Sequence, residues 1–176
     1  MPENHEHYIS VDVETAGPNP GKYPMLSIGA CTIPEPRETF YIELQPDKTA
    51  FTEEALSVSN LPLEHLHKAG TPPRVAMTRF ADWVEHVTPI QDQPVFTAFN
   101  APFDWMFVND YFHRYLGYNP FGHKALDIKA LFMGLKRTLW SDTSYNQVVK
   151  ECCIDTPLTH HALEDAIQQA KIFQSL

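Results

Sequence analysis

Two acidic side chains, Asp12 and Glu14, flank Val13 in the segment "ISVDVET" near the N-terminus. Apolar and polar residues alternate through residues 8 to 14, which predicts a β-strand whose Asp12 and Glu14 side chains leave the same face. Their Cα atoms would then lie about 7 Å apart, a spacing at which oxygen ligands can hold divalent metal ions.

The composition of the strand decides between two interpretations of this pair. With 22 acidic residues in 176, chance alone gives about three acidic pairs at this spacing, so a solvated strand face is the alternative. A strand rich in Val and Ile is more often central than exposed, and buried carboxylates usually bind a partner or a metal ion. The pattern therefore favours metal binding.

Two later segments offer further candidates for the same site. Asp104 in "FNAPFDW" follows a predicted strand and falls in the first turn of a predicted helix, where a carboxylate can also simply stabilise the helix dipole. His160 and Asp165 open the last predicted helix in "THHALEDA". Positions five apart on a helix differ by about 140°, so the two share a pocket only if His160 lies at the helix entry; an ordinary cap or surface histidine is the alternative.

The segment "GPNPGK" resembles a phosphate-binding loop but lacks its spacing. A P-loop has four residues between its glycines and a Ser or Thr after its lysine. Here three residues separate the glycines, and Tyr23 follows Lys22. Pro18 and Pro20 also remove backbone N–H donors that such a loop would present to phosphate. We therefore exclude the P-loop interpretation.

The order of predicted elements indicates an α/β fold. Strands open the chain as an antiparallel meander, after which strands and helices alternate, so we expect helices flanking a mixed five-stranded sheet. The predicted strands cover residues 8–14, 25–33, 38–44 and 94–100, with a short one in 123–128. The predicted helices cover residues 52–58, a segment that resumes after residue 74 beyond a break at Pro62, residues 101–117, a segment after 128, and residues 143–153 and 160–173.

The composition is that of one globular domain spanning residues 1–176. Hydrophobic residues make up 43% of the chain, and we find no repeat, linker, leader sequence or membrane-spanning run, so we expect a cytoplasmic protein. Cys31, Cys152 and Cys153 lack metal-ligand spacing and are expected to be reduced, buried thiols. A net charge of −9 argues against a broad basic face for duplex and favours short or single-stranded nucleic acid if there is a nucleic-acid substrate.

Taken together and in this order, "DVETAG", "FNAPFD" and "HHALEDA" resemble the three motifs of the DEDDh-type 3'-5' exonucleases, which have a ribonuclease-H-like fold. The resemblance covers nearly the whole chain. It implies a meander of three antiparallel strands followed by two parallel strands. It also implies that two divalent ions, Mg²⁺ or substituting Mn²⁺, are held by four carboxylates, with His160 as the general base; the carboxylates are Asp12, Glu14, Asp104 and Asp165.

The same resemblance implies hydrolysis of nucleic-acid 3' ends with release of nucleoside 5'-monophosphates, and a possible homodimer. We expect the substrate pocket to be lined by Thr15, Ala16 and Gly17, with Asn100 and Trp105 nearby. Trp105 and Phe103 are candidates for stacking on a base, although either ring could belong to the core, and the core interpretation is favoured for Phe103.

Two further residues, Asp127 and Phe99, have expected places near these motifs. Asp127 in "ALDIKAL" would be a structural helix cap, and Phe99 stands where many members of the family have His, which changes the pocket lining but not the metal ligands. Two other functions stay open: a catalytically silent nucleic-acid-binding domain on the same fold, and a ribonuclease-H-like endonuclease.

Overall fold

The computed structural model describes residues 5–154 and 158–176. Its centre is one five-stranded sheet with the strand order β3-β2-β1-β4-β5. β1 pairs antiparallel with β2, β2 pairs antiparallel with β3, and both β1–β4 and β4–β5 are parallel pairs. The predicted meander followed by two parallel strands is thus confirmed. The strands are β1 (His5–Thr15), β2 (Met25–Thr32), β3 (Thr39–Glu43), β4 (Asp92–Ala98) and β5 (Ala125–Asp127).

Seven α-helices and one short 3-10 helix lie around the sheet in the described part of the chain. They are α1 (Glu53–Ser59), α2 (Leu63–Ala69), α3 (Pro73–Val87), α4 (Ala101–Tyr115), α5 (Ile128–Lys136), the 3-10 helix (Trp140–Asp142), α6 (Tyr145–Glu151) and α7 (Ala162–Ser175). Within residues 5–154 and 158–176, none of these helices has the length and apolar character needed to cross a bilayer.

The alternation of β1 separates the two faces of the sheet as predicted. Ile9, Val11 and Val13 are buried in the main core, which also contains Phe80 of α3 and Phe107 of α4. On the opposite face α7 packs along β1 and β2. Asp12 and Glu14 point to this second face, so the acidic positions of the central strand lie next to the last helix.

Close packing of α7 on the sheet depends on Gly29 of β2, the residue paired with Asp12. A Cβ atom built at Gly29 would lie 2.1 Å from the carbonyl carbon of Ala162 and 2.1 Å from the amide nitrogen of Leu163. Ala162 and Ala166 on the facing side of α7 are fully buried. Small residues on both elements therefore bring the start of the last helix to within backbone contact of the strand beside Asp12.

The structure differs from the sequence prediction at several boundaries. A helix missed from the sequence, α2, starts directly after Pro62, because a proline is tolerated before the first helical turn and does not have to separate a helix from a loop. β1 begins at His5, three residues before its predicted start, and the last helix begins at Ala162 instead of 160. Cys31 is buried as expected, whereas Cys153 is exposed; all three cysteines are free thiols.

Candidate active site

Asp104 is tied to the centre of the acidic strand. It lies in the first turn of α4, and its Oδ1 accepts a 3.0 Å hydrogen bond from the backbone N–H of Val13, the residue between Asp12 and Glu14. Asn100, just ahead of the helix, adopts a left-handed backbone conformation with φ of 65°. This sharp turn from β4 into α4 directs the first turn of the helix at β1, which explains how residues ninety positions apart come together.

Asp165 organises the turn that carries His160. Its Oδ1 accepts hydrogen bonds from the backbone N–H and the hydroxyl of Thr159 at 2.9 and 3.2 Å, and its Oδ2 accepts one from the backbone N–H of His160 at 2.9 Å. His160 has φ of 56°, an uncommon value for a residue with a side chain. The carboxylate of Asp165 thus stabilises a strained turn just outside α7, which places His160 at the helix entry.

The side chains from β1 and from this turn converge. One ligand atom each of Glu14, His160 and Asp165 lie within 4.8 Å of one another, and His160 is exposed while the two carboxylates are buried. Such a group has the separation that a single metal ion requires.

Burial, together with repulsion between the carboxylates, raises the pKa of three of these acids, Asp12, Glu14 and Asp104. Burial, followed by the charges of Asp104, Glu14 and Asp165, raises the pKa of Asp12 well above its ordinary value. Burial and the Asp165 charge raise the pKa of Glu14 to about 7. Burial is also the main cause that raises the pKa of Asp104. These electrostatic effects mean that the four carboxylates predicted from the sequence form one interacting group.

Gln169 is a member of the site that the sequence analysis did not identify. Its Nε2 donates a 2.6 Å hydrogen bond to Oδ1 of Asp12, and its Oε1 accepts a 2.8 Å bond from the backbone N–H of Phe99. The side chain is 2% exposed. Gln169 lies four residues after Asp165, on the same face of α7. That spacing is the signal that could have identified it.

A cleft of about 420 Å³ opens beside Glu14. Thr15, Gly17 and Phe103 line one side of it, and α1 forms the other. The backbone N–H of Thr52, which caps α1, donates to the carbonyl of Ala16 at 2.9 Å and so fixes the far wall to the end of β1. The volume is in the range of sites for small ligands, roughly 300 to 1,000 Å³.

The five residues predicted to bind substrate are divided by the structure. Thr15 and Gly17 line the cleft, whereas the side chain of Ala16 is fully buried with Leu26 and Leu66. Asn100 lies at the start of α4, where its N–H donates to Asp127. The ring of Trp105 packs edge-on against Phe96 in the core at 5.2 Å. Both rings pack partly against the main core, and Phe103 also lines the cleft.

Asp127 and Phe99 border the carboxylates from the other side. Asp127 caps α5 by accepting the N–H of Lys129, as predicted, and also accepts the N–H of Asn100. Phe99 packs edge-on against Tyr145 at 5.4 Å, in the cluster between α5 and α6. Burial and the charges of Asp165 and Asp12 raise the pKa of Tyr145 to about 12, so the start of α6 also adjoins the acids.

With this geometry established, similarity to known proteins assigns the chain to a family. Residues 7–176 match the model of the 3'-5' exoribonuclease Rv2179c-like domain. The chain belongs to this family. It is also 45% identical over 174 residues to the 3'-5' DNA exonuclease Cap18 of Escherichia coli, an alignment that covers 99% of this chain and 93% of Cap18.

Solved structures agree with this family at the level of the fold. The nuclease domain of 3'hExo, a DEDDh family member bound to rAMP, superposes with a TM-score of 0.79 at 17% identity over 98% of this chain and 92% of that domain. Exonuclease I of E. coli in complex with a dT13 oligonucleotide gives 0.75 at 15% identity over 97% of this chain. The chain spans only 40% of the length of Exonuclease I.

These findings confirm three of the predictions made from the sequence. The resemblance to DEDDh-type exonucleases is confirmed, and so is the ribonuclease-H-like α/β fold. The family model and the similarity to Cap18 both show that the chain is a 3'-5' exonuclease.

Proposed function

We propose that this protein is a metal-dependent exonuclease that removes nucleoside 5'-monophosphates one at a time from the 3' ends of single strands. The observation that carries the proposal is the convergence of carboxylates from β1, α4 and α7 on one another and on His160. The matching family model describes an exoribonuclease and the E. coli relative is a DNA exonuclease, so we propose both RNA and DNA strands as substrates.

The chemistry of the donor set fits divalent cations such as Mg²⁺, with Mn²⁺ as a substitute. Asp12, Glu14, Asp104 and Asp165 offer oxygen ligands only, which hard cations prefer. Within residues 5–154 and 158–176, no Lys or Arg forms an ion pair with any of the four. Burial, followed by repulsion from neighbouring carboxylates, raises the pKa of Asp12 and Glu14, and the described side chains leave this negative charge uncompensated.

Each of these residues has a distinct task in the proposed mechanism. Divalent cations, when bound, would lower the pKa of the attacking water and stabilise charge on the leaving 3' oxygen. A ring nitrogen of His160, which lies beside the carboxylates of Glu14 and Asp165, accepts the proton of that water. Asp165 positions His160 through the backbone of the turn. With three hydrogen bonds already accepted, Asp165 keeps about one lone pair for a cation.

The cleft beside Glu14 supports cleavage at a strand end. Its walls are joined by the hydrogen bond between Thr52 and Ala16, and the ring of Tyr23 fills the space beside Gly17. We propose that the terminal nucleotide occupies this cleft and stacks its base on Phe103. A continuous strand would have to pass the wall that α1 forms where it is joined to the end of β1, which favours exonuclease over endonuclease cleavage.

Asp104→Asn tests the proposed metal site. This variant keeps the side-chain oxygen that accepts from Val13 but removes the charge, so we expect an intact fold and loss of Mg²⁺-dependent release of mononucleotides. The measurement is product size by gel or chromatography on single-stranded RNA and DNA, with and without EDTA. Near-normal turnover by this variant would refute the assignment of Asp104.

His160→Ala tests the proposed base. We propose that the exposed imidazole of His160 accepts the proton of the attacking water and does not bind the cation. We therefore expect the hydrolysis rate to fall by roughly 100-fold or more while Mg²⁺ affinity changes little. Calorimetric titration of Mg²⁺ gives the affinity. A larger loss in metal affinity than in rate would make His160 a ligand instead of a base.

The alternatives predict other products from the same assay. A catalytically silent binding domain would leave a labelled oligonucleotide intact even with Mn²⁺, and an endonuclease would yield internal fragments. The homodimer and the cytoplasmic location expected from the sequence stay predictions.

A further inference from the structure

The basic residues of this acidic chain are unevenly distributed. Residues 128–150, which form α5, the 3-10 helix and all of α6 except its last residue, contain four of the 13 Lys and Arg residues but only one of the 22 Asp and Glu residues. Two further acids, Asp127 and Glu151, directly flank this stretch. The four cations are Lys129, Lys136, Arg137 and Lys150. This stretch is therefore positive, whereas the chain as a whole has a net charge of −9.

The four cations are not neutralised by the described chain. Within residues 5–154 and 158–176, no carboxylate lies within ion-pair distance of any of them, whereas Arg37, Lys48, Lys68 and Arg114 all form ion pairs. The single acid of the stretch, Asp142, accepts hydrogen bonds from the hydroxyls of Thr138 and Ser141. The positive charge of this surface is thus available to an anionic partner.

An exposed aromatic ring stands among these cations. Trp140 is 51% exposed, next to Leu139, which is 71% exposed. The ammonium of Lys129 lies 4.4 Å from the centroid of the Trp140 ring. An exposed tryptophan with a lysine ammonium beside its ring suits a base that stacks and a phosphate that is neutralised, whereas a purely apolar protein partner would gain nothing from the cation.

This surface begins at the carboxylates. Lys129 is in the first turn of α5, and its N–H donates to Asp127, which also accepts the N–H of Asn100. The charge of Asp127 acts on Asp104. α5 then runs about 13 Å away, at about 1.5 Å per residue. At its far end Lys136 and Lys150 line a shared cleft of about 490 Å³ between α5 and α6, together with Asp142 and Glu151.

We propose that residues 128–150, the α5–α6 surface, bind the single strand on the 5' side of the scissile phosphate. One upstream base stacks on Trp140, and the backbone phosphates lie beside Lys129, Lys136, Arg137 and Lys150. This inference rests on the proposed exonuclease function, because it continues the strand whose last nucleotide occupies the cleft beside Glu14.

The test compares a 12-nucleotide single strand with the 4-nitrophenyl ester of thymidine 5'-monophosphate, which carries a terminal nucleotide and no upstream strand. Base stacking is worth about 1–3 kcal/mol per base, so Trp140→Ala should lower the ratio of kcat/KM on the 12-mer to kcat/KM on the ester about tenfold. Lys129→Ala should lower the same ratio, and Trp140→Phe should retain most of it.

Matched controls change the same residue types elsewhere. Tyr118→Ala removes an aromatic residue that is 46% exposed, and Lys68→Ala removes an exposed lysine of α2. Both should leave the ratio unchanged. An unchanged ratio in Trp140→Ala and Lys129→Ala, or an equal loss on both substrates, would overturn the α5–α6 surface as the upstream site.

Binding separates this inference from the proposed function. A fluorescein-labelled 12-mer is titrated into the Asp104→Asn chain, with and without the Trp140→Ala change, so that no turnover is needed. Weaker binding on loss of Trp140 supports the α5–α6 surface whether or not the ester is hydrolysed. Absence of ester hydrolysis would count against the proposed function alone. Lys136→Ala combined with Arg137→Ala should also reduce the dependence of log K on log salt, by about 0.7 for each phosphate that the variant no longer neutralises. An unaltered slope and affinity would refute the proposal.

Discussion

Replacing Glu14 with Gln should make the metal-free protein more stable at alkaline pH while abolishing its exonuclease activity. Glu14 is 8% exposed, and burial together with the Asp165 charge raises its pKa from 4.5 to about 7. Folding therefore either protonates the Glu14 carboxylate or buries its negative charge, and both cost free energy when the unfolded chain is ionised. Gln at this position has nearly the same shape and carries no charge, so it avoids this cost.

The sign follows from proton linkage. Between pH 4.5 and about 7 the folded chain retains a proton on Glu14 that the unfolded chain releases, so stability falls as the pH rises through this window and then levels off. At 1.36 kcal/mol per pKa unit the full loss is about 3 kcal/mol. Glu14→Gln should therefore match the original chain near pH 4.5 and exceed its stability by about 3 kcal/mol above pH 7.

Urea unfolding in EDTA at pH 5.5 and pH 8.5 measures this difference, which should grow by about 2 kcal/mol between the two values. Glu54→Gln is the matched control, because Glu54 lines the same cleft but is exposed, and its effect should stay within about 0.5 kcal/mol at both pH values. Added Mg²⁺ should stabilise the original chain more than Glu14→Gln at pH 8.5. A variant that is less stable than the original chain at pH 8.5, or equally changed at both values, would refute the reasoning.

Two further substitutions test how the site is assembled. Gly29→Ala places a methyl group 2.1 Å from the backbone of Ala162, so it should lower the stability by about 1–3 kcal/mol or more and displace the start of α7. Gly134→Ala meets nothing within 4 Å and should be neutral or stabilising. Equal behaviour of the two variants in thermal unfolding and activity assays would disprove this. Gln169→Leu removes the side-chain amide that bonds the Phe99 N–H and Asp12, so stability should fall by about 1–3 kcal/mol. The Mg²⁺ concentration for half-maximal activity should also change. An unaltered Mg²⁺ requirement would contradict the positioning of Asp12 by Gln169.

The sequence predicted the parts of this fold that depend on short-range pattern. Alternation through residues 8–14 determined which face of β1 carries Asp12 and Glu14, because successive strand residues must point to opposite faces. The angle between positions five apart required His160 to lie at the helix entry if it shares a pocket with Asp165, and the structure has His160 just before α7. These inferences needed only local geometry.

What the sequence did not predict depends on contacts between distant elements. Phe103 and Trp105 are two positions apart on α4, and their pattern alone does not show that Phe96 covers Trp105 while α1 leaves a cleft beside Phe103. Ala16 belongs to the core for the same reason, since Leu26 and Leu66 enclose it. The Gln169 contact joins positions 157 residues apart, so a local pattern could indicate only the face of α7 on which it lies.

The distribution of charge explains how so acidic a chain can hold a polyanion. Screening limits charge interactions to about 8 Å at physiological ionic strength, whereas α5 is about 13 Å long. A phosphate at the far end of α5, beside Lys136 and Arg137, would thus experience less of the carboxylate charge than a phosphate beside Lys129, which adjoins Asp127. Only the scissile phosphate has to approach Asp12, Glu14, Asp104 and Asp165 directly, and it can do so once cations compensate them. In this proposal the upstream strand is held by local positive charge, so a net charge of −9 does not by itself prevent binding.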